Sequence, residues 1–461
     1  MSQTSQSECF IHSLPTETVC NILKTLLYDI IEDDMIRTPE AKHRVLAGGL
    51  PFLHTMALVC RHWRDIVSST PELWTRIFCV FPQEELRWMK SQLKKTVRYP
   101  IHLTVILNHY PDDAVDWVCR VFRVIARNLQ RLKSLRISKF YEEYQSYDTR
   151  PHRHLDKLKG YAPQLEFLRF TDGGRDANRH FNQPCLKLDC PALRTLHIDT
   201  NAICGSDQRW MHEILTHIEN MIISYESDPL AYGYSNETLA RALKAVSRPI
   251  PCLTLDNWNL RSLFGRQVDY KIVAEKVILR TRFDALTVLD NDCQTIVLHQ
   301  CNTIRDLHGI PLPSFNSLEL NGCSSKDLQH IPRVCKWDGT TVTITNSHFS
   351  CIEIILYFLG APFKSQSCSL WPRVTTLKLV AEGDFDMELL LTTLQAMISS
   401  RREAAGQENL GKDEEELNSM RFEGVRPIMV LHVHGGQRLS HKEKVWFEER
   451  VRDFVWDHEK M

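Results

Sequence analysis

The segment "LRTLHIDTN", residues Leu193–Asn201, carries the pattern that decides the fold. Leu193, Leu196 and Ile198 are apolar, and a polar Asn201 follows three positions after the last of them. The alternation through Leu196 and Ile198 marks a strand with one buried face. Working outward, the same unit recurs as "LKSLRI" (Leu132, Leu135, Ile137) and "LEFLRF" (Leu165, Leu168, Phe170) on the N-terminal side. On the C-terminal side stand "CQTIVL" (Cys293, Ile296, Leu298), "FNSLEL" (Phe315, Leu318, Leu320) and "VTTLKL" (Val374, Leu377, Leu379). Weaker copies fall at Met221, at Leu253 with Leu255, at Val277 with Leu279, and at Val342 with Ile344.

A strand of this kind cannot bury its apolar pair alone, whereas stacked neighbours bury one another's. Neighbouring copies lie about 20 to 35 residues apart, a period wandering around that of leucine-rich repeats. The expected fold class is therefore α/β, with an irregular leucine-rich-repeat-like solenoid over residues 83–461. Cys301 and Cys323 occupy the position equivalent to Asn201, where each is expected to serve backbone groups at the turn leaving its strand. A helical stripe through Leu86, Met89, Leu93 and Val97, an alternating strand through Ile101, Leu103, Val105 and Leu107, and a second helix through Val118, Phe122 and Ile125 open the array. At the far end, "RPIMVLHVHG" offers a last strand, and "HKEKVWFEERVRDFVW" a last helix with Trp446, Phe447, Val451, Phe454 and Val455 inward. Together they make a strand–helix cap. The polar, acidic "GQENLGKDEEELNSM" before it reads as a surface loop.

The N-terminal region has a different rhythm. Residues 1–10 are expected to be disordered, and residues 11–82 to form a small all-helical module. After "SLPTE", apolar residues at Val19, Ile22, Leu23, Leu26, Leu27 and Ile30 share one helix face, with Pro15 in the first turn where its missing N–H costs nothing. The charged stretch Ile31–Gly49 reads as a long insertion. In "ALVCRHWRDIVSSTPELW", Met56, Val59, Cys60, Trp63 and Val67 continue a helical stripe from just before the quoted stretch. Thr70 then stands as an N-cap, with Pro71 opening a short helix that carries Leu73 and Trp74.

Bulk properties narrow the function. The chain has 461 residues, 43% hydrophobic and 25% charged, and 56 basic against 57 acidic residues leave a net charge of −1. Such balance argues against a dedicated nucleic-acid binder. Fifteen cysteines occur without any C-x-x-C, and the N-terminus lacks signal-peptide character, so reduced thiols in a cytoplasmic or nuclear protein are expected. The longest apolar run, at Cys351, is too short to span a bilayer, and no membrane association is expected.

Chemical motifs fail on inspection. "HEILTH" (His212–His217) places its second His one residue too late for a zinc-protease pair. "GQENLGKD" (Gly406–Asp413) lacks the magnesium-binding hydroxyl of a phosphate loop. His432 and His434 share a strand face without an evident third ligand. Cys60 and His62 point apart on a helix, so they are no nucleophile–base pair. The basic stretch Arg87, Lys90, Lys94, Lys95 and Arg98 reads as a solvated helix face. No catalytic residue, metal ligand set or cofactor fingerprint is defensible, and an enzyme is not expected.

"SLPTETVCNIL" followed by "MALVCRHWRDIVSSTPELWTRI" resembles the F-box domain of fungal type, with its L-P-x-E, V-C-[KR]-x-W-R and T-P-x-L-W motifs. The separation of Pro15 from Cys60 exceeds that of the compact pattern, and the surplus falls in the 31–49 insertion. The resemblance implies a substrate receptor of a Skp–cullin–F-box ubiquitin ligase. Its F-box would dock the Skp adaptor, and through it a cullin–RING ligase, while the repeat domain would bind an unidentified protein substrate. By motif position, the adaptor-binding set would be Leu14, Pro15, Glu17, Ile22, Leu58, Val59, Cys60, Trp63, Leu73 and Trp74. Some of these must hold the helical fold instead. The alternatives are a leucine-rich-repeat interaction scaffold without ligase connection, whose helices only cap the array, and a metal hydrolase using scattered histidines.

Overall fold

The computed structural model describes residues 14–31, 53, 55–80, 85–96, 98–107, 114–139, 157–171, 187–199, 208–224, 250–256, 273–280, 293–300, 315–323, 337–345, 349–360, 371–380, 386–409, 425–435 and 438–457. The expectations for residues 1–10, for most of the 31–49 insertion, for Asn201 and for Cys301 lie outside these residues. The chain is mixed α/β and divides into two units, Met1–His197 with Gly205–Trp210, and Ile198–Cys204 with Met211–Met461.

The first unit begins with helices. Helix α1 spans Thr16–Ile31, residues 55–59 are helical, α2 spans Arg61–Ser69, and a 3-10 turn covers Pro71–Trp74. Strand β1 (Arg76–Val80), helix α3 (Glu85–Lys95), strand β2 (Ile101–Leu107), helix α4 (Ala114–Ala126) and strand β3 (Leu132–Lys139) follow. Strands β4 (Lys159–Tyr161) and β6 (Lys187–Asp189) form a small parallel pair, while β5 (Phe167–Thr171) and β7 (Thr195–Asp199) continue the main sheet. Strands β1, β2, β3 and β5 are parallel and in register, aligning Ile77, Leu103, Leu135 and Leu168 in one column and Cys79, Val105, Ile137 and Phe170 in a second. All eight are buried.

Helix α5 (Gln208–Leu215) leads into the second unit, whose strands are β8 (Asn220–Ser224), β9 (Ile250–Asp256), β10 (Ala274–Arg280), β11 (Thr295–His299) and β12 (Ser317–Asn321). Then come β13 (Thr341–Thr345), β14 (Thr376–Val380), β15 (Val430–His434) and β16 (Asp453–Asp457). Each pairs parallel with the next, so two columns run without a slip, from Met221 to Phe454 and from Ile223 to Trp456. Every column member from β8 to β15 is buried, and full burial of such a side chain stabilises by about 1.5–3 kcal/mol. Parallel neighbours demand a crossover between every pair. Helix α6 (Phe349–Gly360) and helix α7 (Met387–Asn409) belong to two of these.

Helices α6 and α7 pack closely at Gly360, where an added Cβ would lie 2.8 Å from the Met397 Cα. Arg401 of α7 is 1% exposed, and its guanidinium donates to the carbonyls of Leu359, Pro372, Val374 and Arg426 at 2.8–3.1 Å. Burial lowers its pKa to about 10.

All ten copies of the sequence repeat are strands of the parallel array, but four strands escaped the sequence reading: β1, β4, β6 and β16. The C-terminal segment corrects the expected single helix. Helix α8 spans only His441–Glu448, started by a capping box between Ser440 and Glu443, and the chain then turns into β16. Contacts from β15 accompany this ladder, with His432 Nε2 3.3 Å from the Asp453 carboxylate and His434 Nδ1 3.8 Å from that of Asp457. Gly406–Asn409 of the expected surface loop belong to helix α7. Cys323 does serve backbone, its Sγ donating to the Leu298 carbonyl at 3.4 Å.

Candidate docking surface

The helical module is organised around a core of Val19 and Leu23 from α1, Leu53, Trp63, Ile66 and Val67, and Leu73 and Trp74 from the 3-10 turn. Leu14, Cys20, Met56, Ala57 and Cys60 pack partly buried against it. The α1 ladder starts where the Val19 N–H donates to the Pro15 carbonyl at 3.1 Å, so Pro15 loses nothing by lacking its own N–H. Glu17 lies exposed in the first turn, near the positive end of the helix dipole.

The continuous stripe expected from Met56 to Val67 is broken at Cys60. Its backbone is extended (φ −159°, ψ 172°), and its Sγ accepts from the Trp63 N–H at 3.4 Å, making Cys60 the N-cap of α2. Arg64 bridges the break, its Nε donating to the Ala57 carbonyl at 3.1 Å. Two helical segments therefore replace one: Met56 and Ala57 still pack against the core that holds Trp63 and Val67, but Val59 does not continue the stripe. Leu58 and Val59 come out 75% and 55% exposed, while Trp63 is 9% exposed and packs inward. Ile22 of α1 adds a third large apolar side chain, 42% exposed.

The 3-10 turn also departs from expectation. Thr70 makes no side-chain cap; its hydroxyl lies 3.5 Å from the Cys20 Sγ instead, and its carbonyl accepts from the Leu73 N–H. Trp74 is locked by donating from Nε1 to the Val67 carbonyl at 2.7 Å, and the Lys95 ammonium sits 4.2 Å over its ring. The ten residues singled out from the motifs thus sort into three groups. Trp63, Leu73 and Trp74 are core; Leu14 and Cys60 are half-buried supports; Pro15, Glu17, Ile22, Leu58 and Val59 are exposed. Arg64, which fixes the helix break, was missed because nothing in the stripe announces the break.

The remaining motifs do not assemble. His212 is exposed on α5 and His217 lies beyond that helix's end. His432 and His434 face carboxylates of the neighbouring strand. Among the described residues, no three His, Cys, Asp or Glu side chains are placed to hold a metal ion, and no helix is long and apolar enough to cross a membrane. The described cysteines are free thiols. Burial pushes the thiols of Cys190 and Cys293 up to about 12 and about 11, away from the reactive thiolate.

No curated protein and no solved structure matches the chain. Among protein families, residues 11–80 match the F-box-like family, a span that holds α1, the Cys60 break, α2, the 3-10 turn and β1. The N-terminal part of this chain is an F-box-like domain.

Proposed function

We propose that this protein is the substrate-recognition subunit of a Skp–cullin–F-box ubiquitin ligase, a non-enzymatic adaptor working in the cytoplasm or nucleus. F-box domains typically bind the Skp adaptor of cullin–RING ligases. The observation that carries the reading is the outward apolar set Ile22, Leu58 and Val59 on an F-box-like module whose aromatics are used internally. Large apolar side chains left exposed on a small module are what a protein-docking site offers. The strand array after the module, read as a degenerate leucine-rich-repeat solenoid, would hold the protein substrate. Its contribution to rate would be proximity, bringing a substrate lysine near a ligase-bound ubiquitin carrier.

Co-purification of the Skp adaptor with the full chain tests this. Leu58→Glu with Val59→Glu should abolish recovery of the adaptor and leave the melting temperature unchanged. Trp63→Ala should lower module stability by about 3–5 kcal/mol, because it opens a cavity in the core. Full adaptor recovery with the double Glu variant, or equal recovery from a chain lacking residues 1–82, would overturn docking through this module, and absence of the adaptor from the full-chain purification would favour a repeat scaffold outside the ligase.

A further inference from the structure

Between Glu85 and Asp112 the sequence holds five Lys or Arg and no acidic residue. On α3, Arg87, Lys90 and Lys94 are exposed along one face, while Met89, Gln92 and Leu93 on the opposite face are buried. Arg98 is exposed in the turn that follows, and Lys95 is engaged over the Trp74 ring. Helix α4 repeats the arrangement. Its exposed Arg120 and Arg123, with Arg127 just past its end, lie opposite the buried Val118, Phe122 and Ile125.

The two helices share a side of the sheet. They are the crossovers between parallel neighbours β1, β2 and β3, and crossovers of one hand lie on one face. Arg131, in the 3-10 turn Leu129–Arg131 after α4, donates to the Leu93 carbonyl at 3.2 Å and to the Thr96 hydroxyl at 3.0 Å, so α3 and α4 end next to each other. Among the described residues, no carboxylate pairs with Arg87, Lys90, Lys94, Arg98, Arg123 or Arg127. The helix dipole accounts for Lys94, in the last turn of α3, but Arg87 stands in the first turn, where a cation is disfavoured. In the second unit, by contrast, Lys276 meets Glu319 and Lys444 meets Glu448, each at 3.7 Å. Cations gathered without counter-charge repel one another, and an anionic partner covering them relieves that repulsion.

Among the described residues, neither helix exposes a large apolar side chain. Such a face has nothing to insert into a bilayer and no ring on which bases could stack. We propose that the α3–α4 face binds an Asp- and Glu-rich segment of a protein partner, its carboxylates distributed over Arg87, Lys90, Lys94, Arg123 and Arg127. The proposal goes beyond the ligase reading and does not rest on it. Its test contains no adaptor, so its failure leaves adaptor docking intact.

Fluorescence anisotropy on the full chain uses a labelled Glu-rich peptide, with a Gln-for-Glu version, a labelled DNA duplex and phosphatidylserine vesicles beside it. The Glu peptide should bind, weakening as salt rises, and the Gln version should not. Lys90→Gln with Lys94→Gln on α3, and Arg123→Gln with Arg127→Gln beside α4, should each weaken binding about tenfold. Lys442→Gln with Lys444→Gln on α8 should have no effect. All these side chains but Arg127 lie on helices, and all are exposed, so melting curves on the variants should match the wild type. Equal binding of the Gln peptide, an equal loss with the α8 pair, or binding of the duplex or the vesicles without the Glu peptide each overturns the assignment.

Discussion

At the scale of single residues, His102 is an internal gauge of its surroundings. Its pKa is lowered from 6.5 to about 4 in the folded chain, so between those values the unfolded chain binds more protons and stability falls as the medium is acidified. Urea denaturation from pH 7 to pH 4 should show a loss of about 1–2 kcal/mol from this group, reduced from the full linkage value by partial contact with water. His102→Gln should remove that component, and an unchanged pH slope would contradict it. His102 was not singled out from the sequence, because "RYPIHLTVIL" reads simply as a strand. What makes the residue unusual is its burial between β1 and β3, and after that the charges of Arg76, Lys133 and Arg136. The candidate docking residues were legible as a set but not in their division. Val59 and Val67 occupy the same stripe on paper, and only the Cys60 cap, a weak sulfur acceptor few sequences would advertise, puts one in water and the other in the core.

At the scale of elements, the strands were legible because one alternating pattern recurs ten times and each copy is buried on the side the pattern names. The failures share a cause. "RIFCV" and "DFVWD" are strands because a neighbour's ladder is waiting for them, a non-local gain that local periodicity cannot register. The turn after α8 is fixed by Arg450 and Val451, whose N–H groups donate to the Phe447 carbonyl at 2.9 and 2.8 Å, so a continuous helix is abandoned in favour of pairing with β15. Arg401 shows the same dependence on distant partners, since its acceptors come from α6 and from the segments before β14 and β15. Arg401→Met, similar in bulk, leaves those carbonyls short of donors and should cost about 2–4 kcal/mol in chemical denaturation. Arg401→Lys should not restore stability, because an ammonium cannot span the set. Wild-type stability in the Lys variant would show that charge, rather than the fork of donors, is what matters there.

At the scale of the molecule, the second unit is a sequence of nearest-neighbour pairings, and its stability should be distributed accordingly. Leu320→Ala empties a fully buried column position and should cost about 2–4 kcal/mol. In hydrogen exchange, the lost protection should be largest in β11, β12 and β13 and smallest in β16, four ladders away from β12. Uniform loss across all nine strands would indicate a unit that opens only as a whole. The first unit differs in joining two kinds of architecture, a helical module that leaves Ile22, Leu58 and Val59 exposed and parallel strands with two buried columns.

The two columns of buried side chains also bear on how such a chain changes over evolutionary time. Only the column positions, a pair in each strand, are tied to a neighbour's register, whereas the crossovers between strands differ widely in length without shifting it. Insertions and substitutions can therefore accumulate in the crossovers while the framework stays in phase. Descendants of one ancestor could diverge until their alignable signal shrinks to an apolar pair per strand, and still present new binding faces on an unchanged scaffold.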